Sequence, residues 1–213
     1  MDLGVRLATR YLLSRFGGRA VTKTELAELC GRFGVDLDYF VNYVIRYGYV
    51  VRVLRGLYYV KTVEEFKLGR SVDPLRALAL GMERLGVGWY FGLYTALRLN
   101  GATHEYYDVV FVISDSLRRP KPIRVAGERV RFVKVKPGLV GFGLAKRDSL
   151  VYSDLEKTVL DFVYLSRYGS ISREGAIAVL REHADALSRE KLAEYARRYP
   201  KTVRRVLRDE GLL

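Results

Sequence analysis

The chain contains one cysteine, Cys30, and two histidines, His104 and His183, among its 213 residues. A single cysteine cannot form an intramolecular disulfide, and neither histidine stands at a metal-ligand spacing. The longest uncharged run, from Leu85 to Leu97, is shorter than the roughly 18–20 apolar residues that a membrane helix requires. We therefore expect a protein without a disulfide, a bound metal, a cofactor or a membrane span.

Glutamine is absent and asparagine occurs only at Asn42 and Asn100, whereas arginine, glutamate and lysine are abundant. Depletion of the thermolabile amides in such a background is typical of a thermophile. The N-terminus lacks the basic, apolar and small-residue order of a secretory signal, which favours a cytoplasmic location.

Signatures of the common enzyme classes are missing as well. The sequence has no phosphate-binding loop and no Gly-x-Ser-x-Gly turn around a nucleophile. Glu156 and Asp161 would lie about 140° apart on one helix, so they do not make a natural catalytic pair. We interpret them as a helix cap and a packing contact, and we expect the protein not to be an enzyme.

The charge balance favours a polyanionic partner. There are 37 lysines and arginines against 24 aspartates and glutamates, a formal net charge of +13. A positive field of this kind attracts nucleic acid more often than it attracts anything else. The surplus is present in residues 1–70, 71–150 and 151–213 alike, so a second nucleic-acid surface is an open alternative.

Residues 1–61 are predicted to form three helices followed by a β-hairpin. Thr22 and Glu25 make a capping box at the start of the second helix. Gly34 and Gly48 end the second and third helices, and two β-rich runs then follow. This order predicts an N-terminal winged helix-turn-helix domain.

The remainder of the chain divides into a connector and a larger domain. Residues 62–72 are charged and weakly periodic, which suits a linker or a short connecting helix. Residues 73–213 are predicted to hold several helices, a hairpin across Gly127 and a helical part from Ser172 onward. The predicted fold class is therefore α+β: a winged helix-turn-helix, then a mixed domain with a small sheet and a helical C-terminus.

The third helix carries two different faces. One is apolar and predicts a core contact, while the opposite face is polar and aromatic: Tyr39, Asn42, Tyr43 and Arg46. Asparagine can bond adenine edges and arginine can bond guanine edges, while tyrosine reaches phosphates or stacks. From face chemistry alone, a solvated surface or an interface with another macromolecule remains an alternative.

Two neighbouring elements favour DNA as the partner. The hairpin carries Arg52 and Arg55, where a wing meets the phosphate backbone or the minor groove. Lys23 and Thr24 begin the second helix, whose free amides and dipole favour a phosphate. Together these elements predict sequence-specific binding of double-stranded DNA, with the third helix in the major groove.

Three segments resemble one known family, the AbiEi-type antitoxins. The run from Gly48 to Tyr59 resembles the wing of that family, which ends in an Arg-Gly-x-Tyr tip. The run from Tyr90 to Gly101 resembles the family's helix after the linker, and Ser153 to Asp161 resembles its Glu-Lys-x-x-x-Asp helix. The segments occur in the family's order and span most of the chain.

The resemblance implies an autorepressing antitoxin of a type IV toxin–antitoxin, or abortive-infection, system. Such a protein represses its own promoter through the winged helix and counters a nucleotidyltransferase-like toxin. The alternative is a winged-helix interaction protein that binds RNA or a protein partner without operator specificity, since tyrosine and arginine are also enriched at interfaces.

A second basic face is predicted near the C-terminus, on and before the last helix. Its residues are Arg197, Lys201, Arg204 and Arg208, with Arg205 at the margin. A phosphate-tracking surface and a solvated face of an amphipathic helix are both compatible with this pattern. A basic hairpin around Arg131 and Lys134 is weaker, because alternate strand residues point to opposite faces.

Overall fold

The computed structural model describes residues 3–213 and confirms the mixed α+β class. The chain forms two compact units. The first comprises the described residues up to Gly86 together with Arg124–Glu128, and the second comprises Val87–Ile123 and Arg129–Leu213.

The first unit contains five helices and a three-stranded sheet. In chain order the elements are α1 (Leu3–Phe16), β1 (Ala20–Thr22), α2 (Lys23–Phe33), α3 (Leu37–Arg46), β2 (Val50–Leu54), β3 (Leu57–Val60), α4 (Val63–Lys67) and α5 (Pro74–Glu83). The strand order is β1-β3-β2, and both pairings are antiparallel. The three helices and the hairpin predicted for residues 1–61 are therefore present in the predicted order, with a short strand added before α2.

Local sequence signals set the ends of α2 and α3. The capping box predicted at α2 is present, since Thr22 and Glu25 exchange hydrogen bonds between side chain and main chain. Gly34 ends α2 in the left-handed conformation at a φ of 64°, which a residue without a Cβ adopts at little cost. The Asp36 side chain then accepts the Tyr39 amide and caps α3.

The first unit extends beyond the predicted boundary at residue 61. Thr62 and Glu65 form a second capping box that starts α4, and Asp73 caps α5 ahead of Pro74. Helix α5 packs against all three strands, and a Cβ on Gly81 would lie only 2.8 Å from Val53. Because the sheet needs this apolar cover, α5 belongs to the first unit instead of the second.

The second unit is built on a mixed sheet. The elements from residue 89 onward are β4 (Trp89–Phe91), α6 (Leu93–Leu99), β5 (Val109–Ser114), β6 (Ile123–Val125), β7 (Glu128–Lys134), β8 (Leu144–Arg147), β9 (Leu150–Ser153), α7 (Leu155–Ser166), α8 (Arg173–Glu182), α9 (Arg189–Ala196) and α10 (Lys201–Asp209). Most of β6 lies in the segment Arg124–Glu128, which groups with the first unit. The strand order is β6-β7-β5-β4-β9-β8. Strand β5 runs parallel to β7, and β4 runs parallel to β9, whereas β4–β5 and β8–β9 are antiparallel.

Two local features of this unit depend on burial and on capping. Residues 89–91 form the central strand β4, because this apolar run is buried between β5 and β9. Asp154 caps α7, and its carboxylate accepts the Lys157 amide at 2.9 Å. Within residues 3–213, no helix has the length and apolar character needed to cross a membrane.

A buried polar network lies in the core of the second unit. Lys157 and Asp161 are fully buried one helical turn apart on α7, and their charged groups approach to 3.2 Å. Asp161 also accepts hydrogen bonds from the hydroxyls of Tyr90 on β4, at 2.8 Å, and of Tyr199, at 2.6 Å. The Lys157 ammonium also lies 4.5 Å from the centre of the Phe142 ring. Burial lowers the pKa of Lys157, and the attraction of Asp161 opposes that shift.

We expect Asp161→Asn to destabilise the protein strongly, since Lys157 would stay buried without its counter-charge. Loss of one partner of a buried ion pair costs about 3–5 kcal/mol. Urea denaturation followed by circular dichroism measures the loss. The matched control is Asp185→Asn, at an exposed carboxylate in the turn before α9.

The double variant Lys157→Met/Asp161→Asn distinguishes two causes of the lost stability, an unpaired charge and a missing hydrogen bond. It should be more stable than Asp161→Asn alone, because no unpaired charge remains and the single amide oxygen still accepts from one of the two hydroxyls, Tyr90 or Tyr199. Equal stability of the single and double variants would contradict this account of the network.

Candidate nucleic-acid interface

The outward face of α3 displays three of its four predicted contact residues. Tyr39 is 57% exposed, and Asn42 and Arg46 are also exposed. Neither the Asn42 amide nor the Arg46 guanidinium makes a hydrogen bond or ion pair within the described residues. Their donors and acceptors therefore remain available to an external partner.

Tyr43 differs from the other three, because it is half-buried in an aromatic cluster. Its ring lies 4.6 Å from that of Tyr47, 6.0 Å from that of Tyr49 and 6.4 Å from that of Tyr39. Burial, followed by the neighbouring Tyr49, raises the pKa of Tyr43. Tyr43 thus packs among neighbouring aromatic rings, and its contact with DNA stays a prediction.

Three elements meet at the start of α2. The Lys23 main-chain amide donates to the carbonyl of Gly56 in the hairpin turn at 2.8 Å. The Lys23 ammonium lies 2.9 Å from the Asp38 carboxylate in the first turn of α3, and this contact raises the pKa of Lys23. One residue therefore joins the start of α2, the start of α3 and the tip of the hairpin.

The amides at the start of α2 are less available than the sequence suggests. Lys23 donates its amide to Gly56, and Glu25 donates its amide to the Thr22 hydroxyl at 3.2 Å. The Glu25 carboxylate accepts the Thr22 amide at 2.8 Å and so places a negative charge where a phosphate would bind. Thr24 is exposed at this end. The Lys23 and Glu25 amides are therefore paired within the protein, and phosphate binding at this helix start by Lys23 and Thr24 stays a prediction.

The hairpin presents its two predicted arginines to solvent. Arg55 lies in a two-residue turn with Gly56, whose φ of 78° requires the left-handed region that glycine tolerates. The guanidinium of Arg52 lies 6.0 Å from the centre of the Tyr58 ring. An extra residue in β2 between Arg52 and Leu54 shifts the strand register before the tip.

Asp38 is the residue of this region that the sequence reasoning missed. Its side chain is 79% exposed and its carboxylate pairs with Lys23. An acid in the first turn of a helix is ordinary, because it complements the helix dipole, so the position alone gave no functional signal. Asp38 partly neutralises the charge that Lys23 would offer to a phosphate.

The second basic face is only partly continuous. Lys201 and Arg208 are exposed on α10, Arg204 is half-buried, and Arg197 lies at the C-terminal cap of α9 before Pro200. The apolar side, with Val203 and Leu207, is buried against the core. At the margin, Arg205 pairs with Asp209 at 4.0 Å. The helix is thus docked on its apolar side, and its basic side faces outward.

The reactive or metal-binding side chains that remain, those of the cysteine and the two histidines, do not form a cluster. Cys30 is buried in the core of the first unit, and burial raises the pKa of its thiol to about 11. His104 is exposed, whereas His183 is buried at the end of α8 with no hydrogen-bond partner for Nε2 within the described residues. No three histidine, cysteine, aspartate or glutamate side chains group as metal ligands anywhere in residues 3–213.

Comparison with known proteins gives a likeness of fold alone. No family model matches the sequence, and no curated protein is significantly similar to it. Among solved structures, the crystal structure of the RV2827C protein from Mycobacterium tuberculosis is similar, with a TM-score of 0.59 and 16% sequence identity. The match covers 95% of this chain and 74% of that chain. The fold is therefore shared with a known protein at low identity.

The capping carboxylate of α2 leads to a prediction about pH. Partial burial raises the pKa of Glu25, but hydrogen bonds from Thr22 and the guanidinium of Arg84 outweigh it, so that the pKa lies below its ordinary value of 4.5. A carboxyl with a depressed folded-state pKa stabilises the fold above its unfolded pKa, and the contribution disappears as the pH falls through the folded pKa. Glu25→Gln should therefore lower the melting temperature at pH 7, and the two melting temperatures should converge as the pH falls through the folded-state pKa of Glu25.

The control for this prediction is Glu28→Gln. Glu28 is exposed on the same helix and makes no hydrogen bond or ion pair within residues 3–213. Glu28→Gln removes the same charge as Glu25→Gln. A comparable pH-dependent loss of melting temperature in both variants would therefore assign the effect to net charge instead of the capping box.

Proposed function

We propose that this protein is a cytoplasmic, sequence-specific DNA-binding regulator whose first unit acts as a winged helix-turn-helix. Helix α3 would enter the major groove, with Asn42 and Arg46 reading base edges and Tyr39 contacting phosphates or stacking. The hairpin would act as the wing, with Arg52 and Arg55 on the phosphate backbone or in the minor groove.

The observation that carries the proposal is the convergence around Lys23. A hydrogen bond to Gly56 and an ion pair with Asp38 hold the hairpin tip against the starts of α2 and α3. A reading helix and a wing must reach one DNA segment together, and this contact fixes their spacing. The unpaired groups of Asn42 and Arg46 add the chemistry that base edges require.

The antitoxin role rests on the sequence resemblance to the AbiEi-type family. We propose that the DNA site is the protein's own promoter and that a nucleotidyltransferase-like toxin is the protein partner. No catalytic activity is part of this proposal.

A second candidate function is that of an interaction module for RNA or a protein, without operator specificity. The aromatic cluster favours it: Tyr39 and Tyr47 are 57% and 56% exposed, and both lie beside the Tyr43 ring. Exposed tyrosines are common at the centres of protein interfaces. Operator binding and this alternative give different results in one titration.

That titration compares DNA from the gene's own upstream region with a shuffled sequence, using fluorescence anisotropy over a series of salt concentrations. Operator recognition predicts a preference of about 10³ or more for the native sequence, with a steep salt dependence. Equal binding of both DNAs would exclude operator specificity and favour the RNA or protein partner.

Two substitutions distinguish base reading from phosphate contact. We expect Asn42→Ala to cost roughly 1–3 kcal/mol on the native sequence and to reduce the preference over shuffled DNA. Arg55→Ala should weaken both DNAs equally and reduce the salt slope by about one. Arg189→Ala, an exposed arginine at the start of α9, is the matched control. Small and equal effects of Asn42→Ala on every DNA would reject α3 as the reading helix.

Removal of the Asp38 charge should strengthen DNA binding, whereas the Asn42 and Arg55 substitutions should weaken it. Asp38→Asn releases Lys23 from its ion pair and removes a negative charge from the proposed interface. We therefore expect tighter binding to native and shuffled DNA alike, with a salt slope steeper by about one. Glu28→Gln, on the far part of α2, controls for net charge. Unchanged binding of the Asp38 variant would place Lys23 outside the interface.

A further inference from the structure

A basic cleft within the second unit is a second candidate site. The cleft has a volume of about 680 Å³, which lies in the range of small-molecule sites. Five cationic residues line it, and no aspartate or glutamate does. They come from the loop after β5, from β7 and from the residues that follow β7: Arg118, Arg119, Arg131, Lys134 and Lys136.

The cations of the cleft are held together without compensation. Arg131 is half-buried on β7, yet it makes no ion pair or hydrogen bond through its side chain within the described residues. The loop is attached to this strand, because the Arg119 amide donates to the Phe132 carbonyl at 3.4 Å. Like charges in one cleft repel each other and so raise the free energy of the empty site. A bound anion with several negative charges would offset this repulsion.

Arg131 and Lys134 both line this cleft, although strand alternation predicts opposite faces for them. From the sequence alone, this basic hairpin is the weaker candidate. In the structure, its cations and the arginines of the loop after β5 line one concave surface. The shape favours a small ligand, because a concave site of this volume encloses a molecule of drug size, whereas duplex DNA requires an extended surface.

Aromatic side chains form the opposite part of the cleft. Tyr164, on α7, is buried and packs edge-on against the exposed Tyr168, with 5.2 Å between the ring centres. Burial, then the hydrogen bond with Tyr168, raises the pKa of Tyr164 to about 12, so its hydroxyl stays protonated at neutral pH. Tyr168 is 62% exposed and offers a ring on which a base can stack.

We propose that this cleft binds a free nucleotide carrying two or three phosphates. The guanidinium groups suit the phosphates, because their planar donors bind phosphate oxygens in pairs. Lys134 and Lys136 add point charges, and Tyr168 receives the base. This site shares no residue with the proposed DNA interface, and the proposal does not depend on that interface.

Isothermal titration of the full-length protein with defined probes tests the proposal. ATP and GTP should bind more tightly than AMP, and adenosine should not bind at about 1 mM. The double variant Arg119→Ala/Lys134→Ala removes two exposed cations of the cleft and should weaken ATP and GTP at least about tenfold. Tyr168→Leu should weaken ATP more than it weakens inorganic pyrophosphate, since only ATP carries a base.

The matched control is Lys146→Ala/Arg173→Ala, which removes two exposed cations outside the cleft. It should retain ATP affinity within about twofold, because the net charge falls equally in both double variants. Equal losses in the two double variants would overturn the proposal, since a diffuse field would then explain binding.

Two further results would also overturn it. One is that neither ATP nor GTP binds and that Arg119→Ala/Lys134→Ala has a lower melting temperature. The cations would then have a structural role, which is to complement the carbonyl end of α7. The other is tight binding of a single-stranded oligonucleotide that neither ATP nor GTP displaces.

Discussion

The buried ion pair between Lys157 and Asp161 is the constraint on which the second unit depends. Two charges lie in the core with no exposure, and their desolvation is tolerable only because every donor finds an acceptor. Asp161 accepts hydrogen bonds from two tyrosine hydroxyls as well as pairing with Lys157. These tyrosines are Tyr90 on β4 and Tyr199, two residues before α10. The network therefore ties the central strand to the C-terminal helices through a single carboxylate.

This network changes what the resemblance to the AbiEi-type antitoxins means. Tyr90 belongs to one of the resembling segments, and Lys157 and Asp161 belong to another. In the structure these segments converge in the buried core, while Glu156 accepts the Ser188 amide at 2.9 Å and joins α7 to α9. Asp161 makes packing contacts, as expected from the sequence, whereas Glu156 does not cap α7, because Asp154 occupies that position. These resembling residues describe a fold more directly than a function.

The first unit was more predictable than the second. Its helix ends follow capping boxes and glycines, which act within a few residues of the chain. The proposed interface was less predictable, because its availability depends on partners distant in sequence. Lys23 pairs with Asp38, and Tyr43 packs against Tyr49, so their roles differ from those of Asn42 and Arg46, whose polar groups have no partner within the described residues.

The sequence by itself determined the α+β class, the order of helices and hairpin up to residue 61, and the positive charge, since these depend on local periodicity, turn chemistry and composition. Only the tertiary structure decided that residues 89–91 form a strand, that α5 covers the first sheet, and that the cations of the loop after β5 join those of β7 in one cleft. The physical reason is that a short apolar run has no intrinsic preference strong enough to choose between helix and strand. Burial against partners far along the chain makes that choice, and long-range pairing also decides which charges are neutralised and which remain free to bind.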